Sequence, residues 1–129
     1  MKVIDSSALI KYIAKEDGWE NVEKHLIEGC ITLDLALKEA ANALVKKILR
    51  GEVDLETAKK IIEHIPKVVK IVSQSDHFPK ALEIATKNKI TIYDALFIAL
   101  AANTNAPLLT SDKEQAKATE ECSVITILI

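Results

Sequence analysis

The fold of this chain is decided by the stretch ITIYDALFIALAANTNAPLLTSD, residues 90–112. Its first part predicts a helix over Thr91–Asn103 that is apolar on all sides over its central turns, which is typical of a helix buried in a core. Its second part, APLLT (Ala106–Thr110), predicts a short apolar strand. A buried helix that leads directly into a buried strand indicates a parallel sheet covered by helices.

The same alternation of short apolar runs and longer helical patterns extends over the whole chain. Strands are predicted over Met1–Asp5, Cys30–Leu33, Val68–Val72, Ala106–Thr110 and Ser123–Ile129. Helices are predicted over Ser6–Ala14, Trp19–Gly29, Leu35–Arg50, Leu55–Ile65 (closed by Pro66), Pro79–Lys89, Thr91–Asn103 and Lys113–Thr119. The last strand, SVITILI, is continuously apolar, which predicts burial on both faces. We therefore expect an α/β fold, a three-layer α/β/α sandwich with a central five-stranded parallel sheet.

Composition favours one globular domain over residues 1–129. The chain has 129 residues, of which 49% are hydrophobic and 28% charged, as in ordinary globular domains. No apolar run reaches the roughly 18–20 residues that span a bilayer, and the early carboxylate of Asp5 argues against a signal peptide. We therefore expect a cytoplasmic protein without a membrane partner. The net charge of −2 predicts no global positive field for nucleic acids.

Acidic residues follow two of the predicted strands. Asp5 comes directly after the first strand, and Asp112 comes two residues after LLT. Ligands of open α/β sheets bind outside the carboxyl ends of the strands, where the strand order reverses. Asp5 and Asp112 are therefore candidates for one site, although each could instead cap the helix that follows it.

Two further acids lie on predicted helices. Asp94 sits in the buried helix, where a carboxylate needs a partner or a metal, but Thr91-x-x-Asp94 also matches a capping box. Glu39 lies on the helix LALKEAANALVKKILR, whose core stripe is predicted to be Leu37, Ala41, Leu44 and Ile48. That stripe directs Glu39 towards solvent, so periodicity alone favours an exposed side chain.

The chemistry that would unite four acids is that of a divalent cation. Mg²⁺ and Mn²⁺ prefer oxygen ligands. One ion, or a pair about 3.5–4 Å apart, can activate water and stabilise the leaving oxygen in phosphodiester hydrolysis. Such a site needs no histidine, cysteine or lysine nucleophile.

Four segments in order resemble the PIN-domain family, and within it the small toxins of the VapC type: VIDSSALIKY, KEAANAL, IYDALFIALA and LLTSDKEQAK. The resemblance covers essentially the whole chain and implies the strand order 3-2-1-4-5. It implies that the catalytic, metal-binding acids are Asp5, Glu39, Asp94 and Asp112, with Glu39 acting more through water than directly. It also implies that hydroxyls near the first and last acids orient the carboxylates and waters: Ser6, Ser7 and Thr110.

The resemblance implies an activity and partners as well. These are an Mg²⁺- or Mn²⁺-dependent endoribonuclease acting on RNA, a homodimer, and a cognate antitoxin protein. Two alternatives remain open, an RNA-processing PIN nuclease that is not a toxin and a catalytically silent RNA- or protein-binding module. An aspartyl-phosphate phosphatase is disfavoured, because Asp5-Ser6-Ser7 lacks the second Asp of a DxD motif.

Overall fold

A computed structural model describes residues 1–129 and contains one five-stranded sheet. The strands are β1 (Lys2–Ile4), β2 (Cys30–Leu33), β3 (Lys70–Val72), β4 (Leu108–Thr110) and β5 (Thr126–Leu128). All neighbouring strands are parallel, and their order is β3-β2-β1-β4-β5. The predicted parallel sheet and its order are therefore confirmed.

Seven α-helices connect and flank the strands. They are α1 (Ser6–Ile13), α2 (Trp19–Glu28), α3 (Asp34–Leu49), α4 (Leu55–Val68), α5 (Phe78–Asn88), α6 (Ile92–Thr104) and α7 (Lys113–Glu120). A short 3-10 helix, Ser75–His77, precedes α5. No helix of the structure combines the length and the apolar character needed to cross a membrane.

The helix α6 forms the centre of the core, as its sequence predicts. Residues Ala95–Ala101 are all buried, and α6 contacts β1, β2 and β4 as well as α5. The right-handed rule for parallel crossovers places α1–α4 on one face of the sheet and α5–α7 on the other. This arrangement gives the three layers that we expected.

The structure corrects two predicted boundaries. Pro66 does not end the fourth helix, because α4 continues through it to Val68. Proline removes one backbone donor, but buried Ile65 and Val69 flank it and anchor the last turn in the core, where the Val69 N–H donates to the Ile65 carbonyl at 3.1 Å. The third strand therefore begins at Lys70, two residues later than predicted.

The last strand is also shorter and less buried than predicted. It covers only Thr126–Leu128, and none of its three residues is fully buried. Because β5 pairs only with β4, it is an edge strand, and edge strands expose part of their surface. An apolar run alone does not distinguish an edge strand from a central one.

Candidate active site at the carboxyl edge of the sheet

The strand order brings the predicted strand-end acids to one edge. The central strand β1 pairs with β4, with Ile4 opposite Leu109, and the Asp5 N–H donates to the Leu109 carbonyl at 3.1 Å. Asp5 therefore lies beside the end of β4. Asp112 comes two residues after Thr110, the last residue of that strand. This is the point where the strand order reverses, as the sequence predicts.

The Asp5 carboxylate is buried and held by three donors. Its Oδ1 accepts hydrogen bonds from the Ser7 hydroxyl at 2.6 Å and from the Ala8 N–H at 3.0 Å. Its Oδ2 accepts one from the Thr110 hydroxyl. Only 4% of Asp5 is exposed. The bond from Ala8 caps α1, so the capping interpretation is correct in part, but the two hydroxyl donors go beyond what a cap needs.

Main-chain donors determine which way these hydroxyls point. The Ser111 N–H donates to Ser7 Oγ at 2.9 Å, and the Asp112 N–H donates to Thr110 Oγ1 at 3.0 Å. An N–H can only donate and an ionised carboxylate can only accept, so each hydroxyl accepts from the main chain and donates its single hydrogen to Asp5. The two hydroxyl oxygens also lie 3.1 Å apart. The main chain of the β4–α7 turn therefore donates hydrogen bonds to the two hydroxyls, and both hydroxyls donate hydrogen bonds to the Asp5 carboxylate.

The pKa of Asp5 is raised above its ordinary value, chiefly because burial disfavours the charged form. The bonds from Ser7, Thr110 and Ala8 act in the opposite direction, and the negative charge of Asp112 adds to the increase. Three donors thus do not fully compensate for the loss of water around this carboxylate.

Asp94 lies in the first turn of α6, half-buried. The Thr91 hydroxyl accepts a hydrogen bond from the Asp94 N–H at 3.3 Å, but the reciprocal bond of a capping box, from the Thr91 N–H to the Asp94 carboxylate, is absent. Burial raises the pKa of Asp94, and the negative charges of Asp112 and Glu39 raise it further, against a lowering by the Thr91 hydroxyl. The negative charges of Glu39 on α3 and Asp112 on the β4–α7 turn therefore act on Asp94.

Glu39 belongs to this group, contrary to the periodicity of α3. The Ser6 hydroxyl donates to Glu39 Oε1 at 2.7 Å. The core stripe predicted for α3 was right for Leu44, which is buried, and wrong for the rest. Leu37, Ala41 and Ile48 are only partly buried, and the other buried residues are Leu35, Ala36 and Ala40. With these residues packed in the core, the Glu39 side chain points towards Ser6 and the edge of the sheet.

Asp112 is both a cap and a member of the acidic group. Its Oδ1 accepts hydrogen bonds from the N–H groups of Glu114 at 2.9 Å and Gln115 at 3.3 Å, which caps α7. Its Oδ2 accepts no hydrogen bond within the protein. One oxygen of Asp112 thus remains available to a ligand.

The fit of the four acids to a divalent cation depends on how closely their side chains approach one another. No three of the chain's His, Cys, Asp and Glu side chains stand close enough together to form a direct metal-binding cluster. The donors are nevertheless all carboxylate oxygens, and the pKa of Asp94 is raised by burial and then by the negative charges of Asp112 and Glu39. This set fits a hydrated Mg²⁺ or Mn²⁺, which keeps several waters and uses one or two carboxylates, and does not fit a closed cage.

One residue near the acids was not anticipated from the sequence. Gln115 is 3% exposed, and its side-chain Nε2 donates to the Asp94 carbonyl at 3.0 Å. No sequence pattern identifies it, because nothing local predicts that α7 touches the first turn of α6.

None of the four acids lines any of the five main surface clefts. The cleft between α1, α2 and α4, for example, has a volume of about 420 Å³ and is lined by other residues.

The sequence of this chain is similar to those of known proteins. Residues 2–121 match the model of the PIN domain family. The chain is 32% identical over 120 residues to a Pyrobaculum aerophilum protein named ribonuclease VapC3, covering 89% of this chain and 92% of the relative. It is 30% identical over 128 residues to a protein of the same organism named exonuclease VapC9, covering 98% of this chain and 92% of that relative.

Solved structures share the fold. A crystal structure from Pyrobaculum aerophilum matches with a TM-score of 0.76 at 29% identity, covering 97% of this chain and 82% of that one. VapBC2 from Rickettsia felis, bound to a DNA fragment from its promoter, matches with a TM-score of 0.72 at 14% identity, covering 99% and 98% of the two chains. The second likeness concerns the fold alone.

Proposed function

Since this chain belongs to the PIN domain family, and within it to the VapC-type proteins, we propose that it is an Mg²⁺- or Mn²⁺-dependent endoribonuclease. The observation that carries the proposal is the meeting of acids from separate elements at one sheet edge, where Asp5 lies beside the end of β4 and its neighbour Ser6 donates to Glu39. Burial, and after it the negative charges of Asp112 and Glu39, raises the pKa of Asp94 there. Such like-charge groups are typical of sites that bind a cation or do acid–base chemistry.

In this proposal, Asp5, Asp94 and Asp112 hold the cation directly or through water, and Glu39 holds it through water or orients the attacking water. A bound divalent cation supplies charge neutralisation of the phosphate and a lower pKa for water. Asp112 offers its Oδ2, while the hydroxyls of Ser7 and Thr110 keep the Asp5 carboxylate in one orientation. The attacking water forms a bond to phosphorus, and the bond from phosphorus to the leaving oxygen breaks.

A circular RNA is the substrate that tests the proposal most sharply. An endonuclease cuts a circle, whereas an exonuclease requires an end; the distinction matters because one relative is named a ribonuclease and another an exonuclease. We expect purified protein with Mn²⁺ to linearise the circle and to lose this activity in a chelator.

Variants identify the site in the same assay. Asp94→Asn, checked for folding by circular dichroism, is expected to cleave at least about 10²-fold more slowly, since several kcal/mol of transition-state stabilisation are lost. Glu63→Gln, which removes an exposed carboxylate from α4, should cleave as the wild type does. Full cleavage by Asp94→Asn would return this residue to a structural role, and no cleavage by the wild type would favour a silent binding module.

We further propose that the nuclease is the toxin of a toxin–antitoxin pair, acting as a homodimer and inhibited by a cognate antitoxin. The support is the likeness to VapC-named relatives and the shared fold with VapBC2. Expression alone should arrest growth, and coexpression of a small neighbouring gene should relieve the arrest. Light scattering should give twice the mass of one chain. Growth without arrest would favour an RNA-processing nuclease.

A further inference from the structure

One buried residue contacts both the acid of α6 and the acid that precedes α7, the first through its side chain and the second through its main-chain N–H. Gln115 donates from its Nε2 to the main-chain carbonyl of Asp94 at 3.0 Å, and its own N–H donates to Asp112 Oδ1 at 3.3 Å. Asp94 and Asp112 are 18 residues apart in the chain, and Gln115 contacts both of them.

The orientation of the Gln115 amide follows from its partner. A carbonyl oxygen can only accept, so the amide must turn its NH₂ group towards Asp94. The other end of the amide, Oε1, is then buried without a hydrogen-bond partner. A buried carbonyl oxygen without a donor is unfavourable, and an apolar side chain of similar size would avoid this penalty.

We propose that Gln115 is a positioning residue, which fixes the separation of Asp94 and Asp112 and thereby the affinity of the site for a divalent cation. The inference rests on the proposed function, since it takes these two acids as cation ligands. Gln115 itself contacts neither the cation nor the RNA. It acts through the backbone of Asp94 and the carboxylate of Asp112, in the way that outer partners orient metal ligands.

Gln115→Met is the decisive variant, because it keeps the volume of the side chain and removes both the NH₂ donor and the unpartnered oxygen. Calorimetric titration with Mn²⁺ is expected to show binding at least about tenfold weaker than in the wild type. The melting temperature in a chelator should be unchanged or higher. A residue with a merely structural role would instead lower this melting temperature.

Thr119→Val is the matched control, because Thr119 is a fully buried residue of the same helix whose hydroxyl donates to the Gln115 carbonyl at 2.6 Å. It should bind Mn²⁺ as the wild type does, even if the helix loses stability. If Gln115→Met does not fold, Gln115→Leu takes its place.

Three outcomes would overturn the inference. Unchanged Mn²⁺ affinity in Gln115→Met would do so while leaving the proposed function intact. Equal weakening of binding by Thr119→Val would show that any loss of α7 packing has this effect. No Mn²⁺ binding by the wild type would remove the metal site itself, and the inference with it.

Discussion

The two sides of the acidic edge are built differently. Asp5 is 4% exposed, and both of its oxygens accept hydrogen bonds from hydroxyl or main-chain donors. Asp94 is half-buried, and its pKa is raised first by this burial and then by the negative charges of Asp112 and Glu39. One carboxylate is surrounded by donors and the other by like charges.

The difference separates two tasks that a cation site must combine. Donors hold the Asp5 carboxylate in one place, so that little reorganisation is needed when a ligand arrives. Like charges around Asp94 leave a demand for positive charge that the protein itself does not meet. On this view, changes on the Asp5 side should mainly affect stability, and changes on the Asp94 side should mainly affect ligand binding.

The largest expected effect on stability comes from Thr110→Val, which keeps the shape and removes the hydroxyl. The buried Asp5 carboxylate loses a donor, and the Asp112 N–H loses its acceptor. We expect the free energy of unfolding to fall by about 3 kcal/mol, because bonds to charged groups and unsatisfied buried groups each contribute. Urea unfolding measures the change.

Thr110→Ser is the control, since it keeps the hydroxyl and removes one buried methyl. We expect it to lose only about 1 kcal/mol. An equally small loss in Thr110→Val would mean that the hydroxyl contributes little, and the contrast between the two sides would fail.

A smaller effect on stability is expected for Ser6→Ala. Ser6 follows Asp5 in the chain and contacts Glu39, one of the acids whose charge acts on Asp94. The variant removes the 2.7 Å hydrogen bond to Glu39 and should cost about 1 kcal/mol of stability. RNA cleavage should fall about tenfold, because Glu39 loses the partner that orients it. Ser6→Thr keeps a hydroxyl and should restore most of the cleavage. Full activity in Ser6→Ala would separate Glu39 from the chemistry.

The smallest expected effect on stability is that of Asp94→Asn in a chelating buffer. Unlike the variants above, it should raise the melting temperature. Folding raises the pKa of Asp94 above 3.8, so the folded state binds this proton more tightly and the charged form opposes folding. The variant should therefore melt slightly above the wild type at neutral pH. Its advantage should shrink as the pH falls through the raised pKa and vanish below about 3.8.

Melting curves at several pH values measure the difference in melting temperature between Asp94→Asn and the wild type. Asp94→Glu is the control: it keeps a carboxylate, so its melting temperature should depend on pH as that of the wild type does. If Asp94→Asn melts below the wild type at neutral pH, Asp94 stabilises the fold. The proposed difference in role between Asp94 and Asp5 would then be wrong.

The sequence predicted those parts that depend on local pattern or on strand ends. The position of Asp5 beside the end of β4 followed from apolar strands that end in acids, because parallel strands share one edge. The position of Glu39 did not follow from periodicity, since α3 buries one apolar side against the core and carries a second. Resemblance, and not the pattern of residues, identified Glu39 as part of the acidic group.

Other features depend on contacts that no local pattern encodes. Pro66 was predicted to end its helix, and only the buried neighbours Ile65 and Val69 explain why α4 continues. Likewise, Gln115 is an ordinary polar residue of α7 until the packing of α7 against α6 is known.

The hydrogen bond from Thr110 to Asp5 joins residues 105 positions apart, and this separation has a consequence for synthesis on the ribosome. At about 5–20 residues per second, roughly 5–20 s pass between the translation of Asp5 and that of Thr110. During that interval β1 lacks the β4 neighbour on one side, and Asp5 lacks one of its donors. A fragment released before residue 110 has neither Thr110 nor Asp112, so the acidic edge is completed only after residue 112 has been translated.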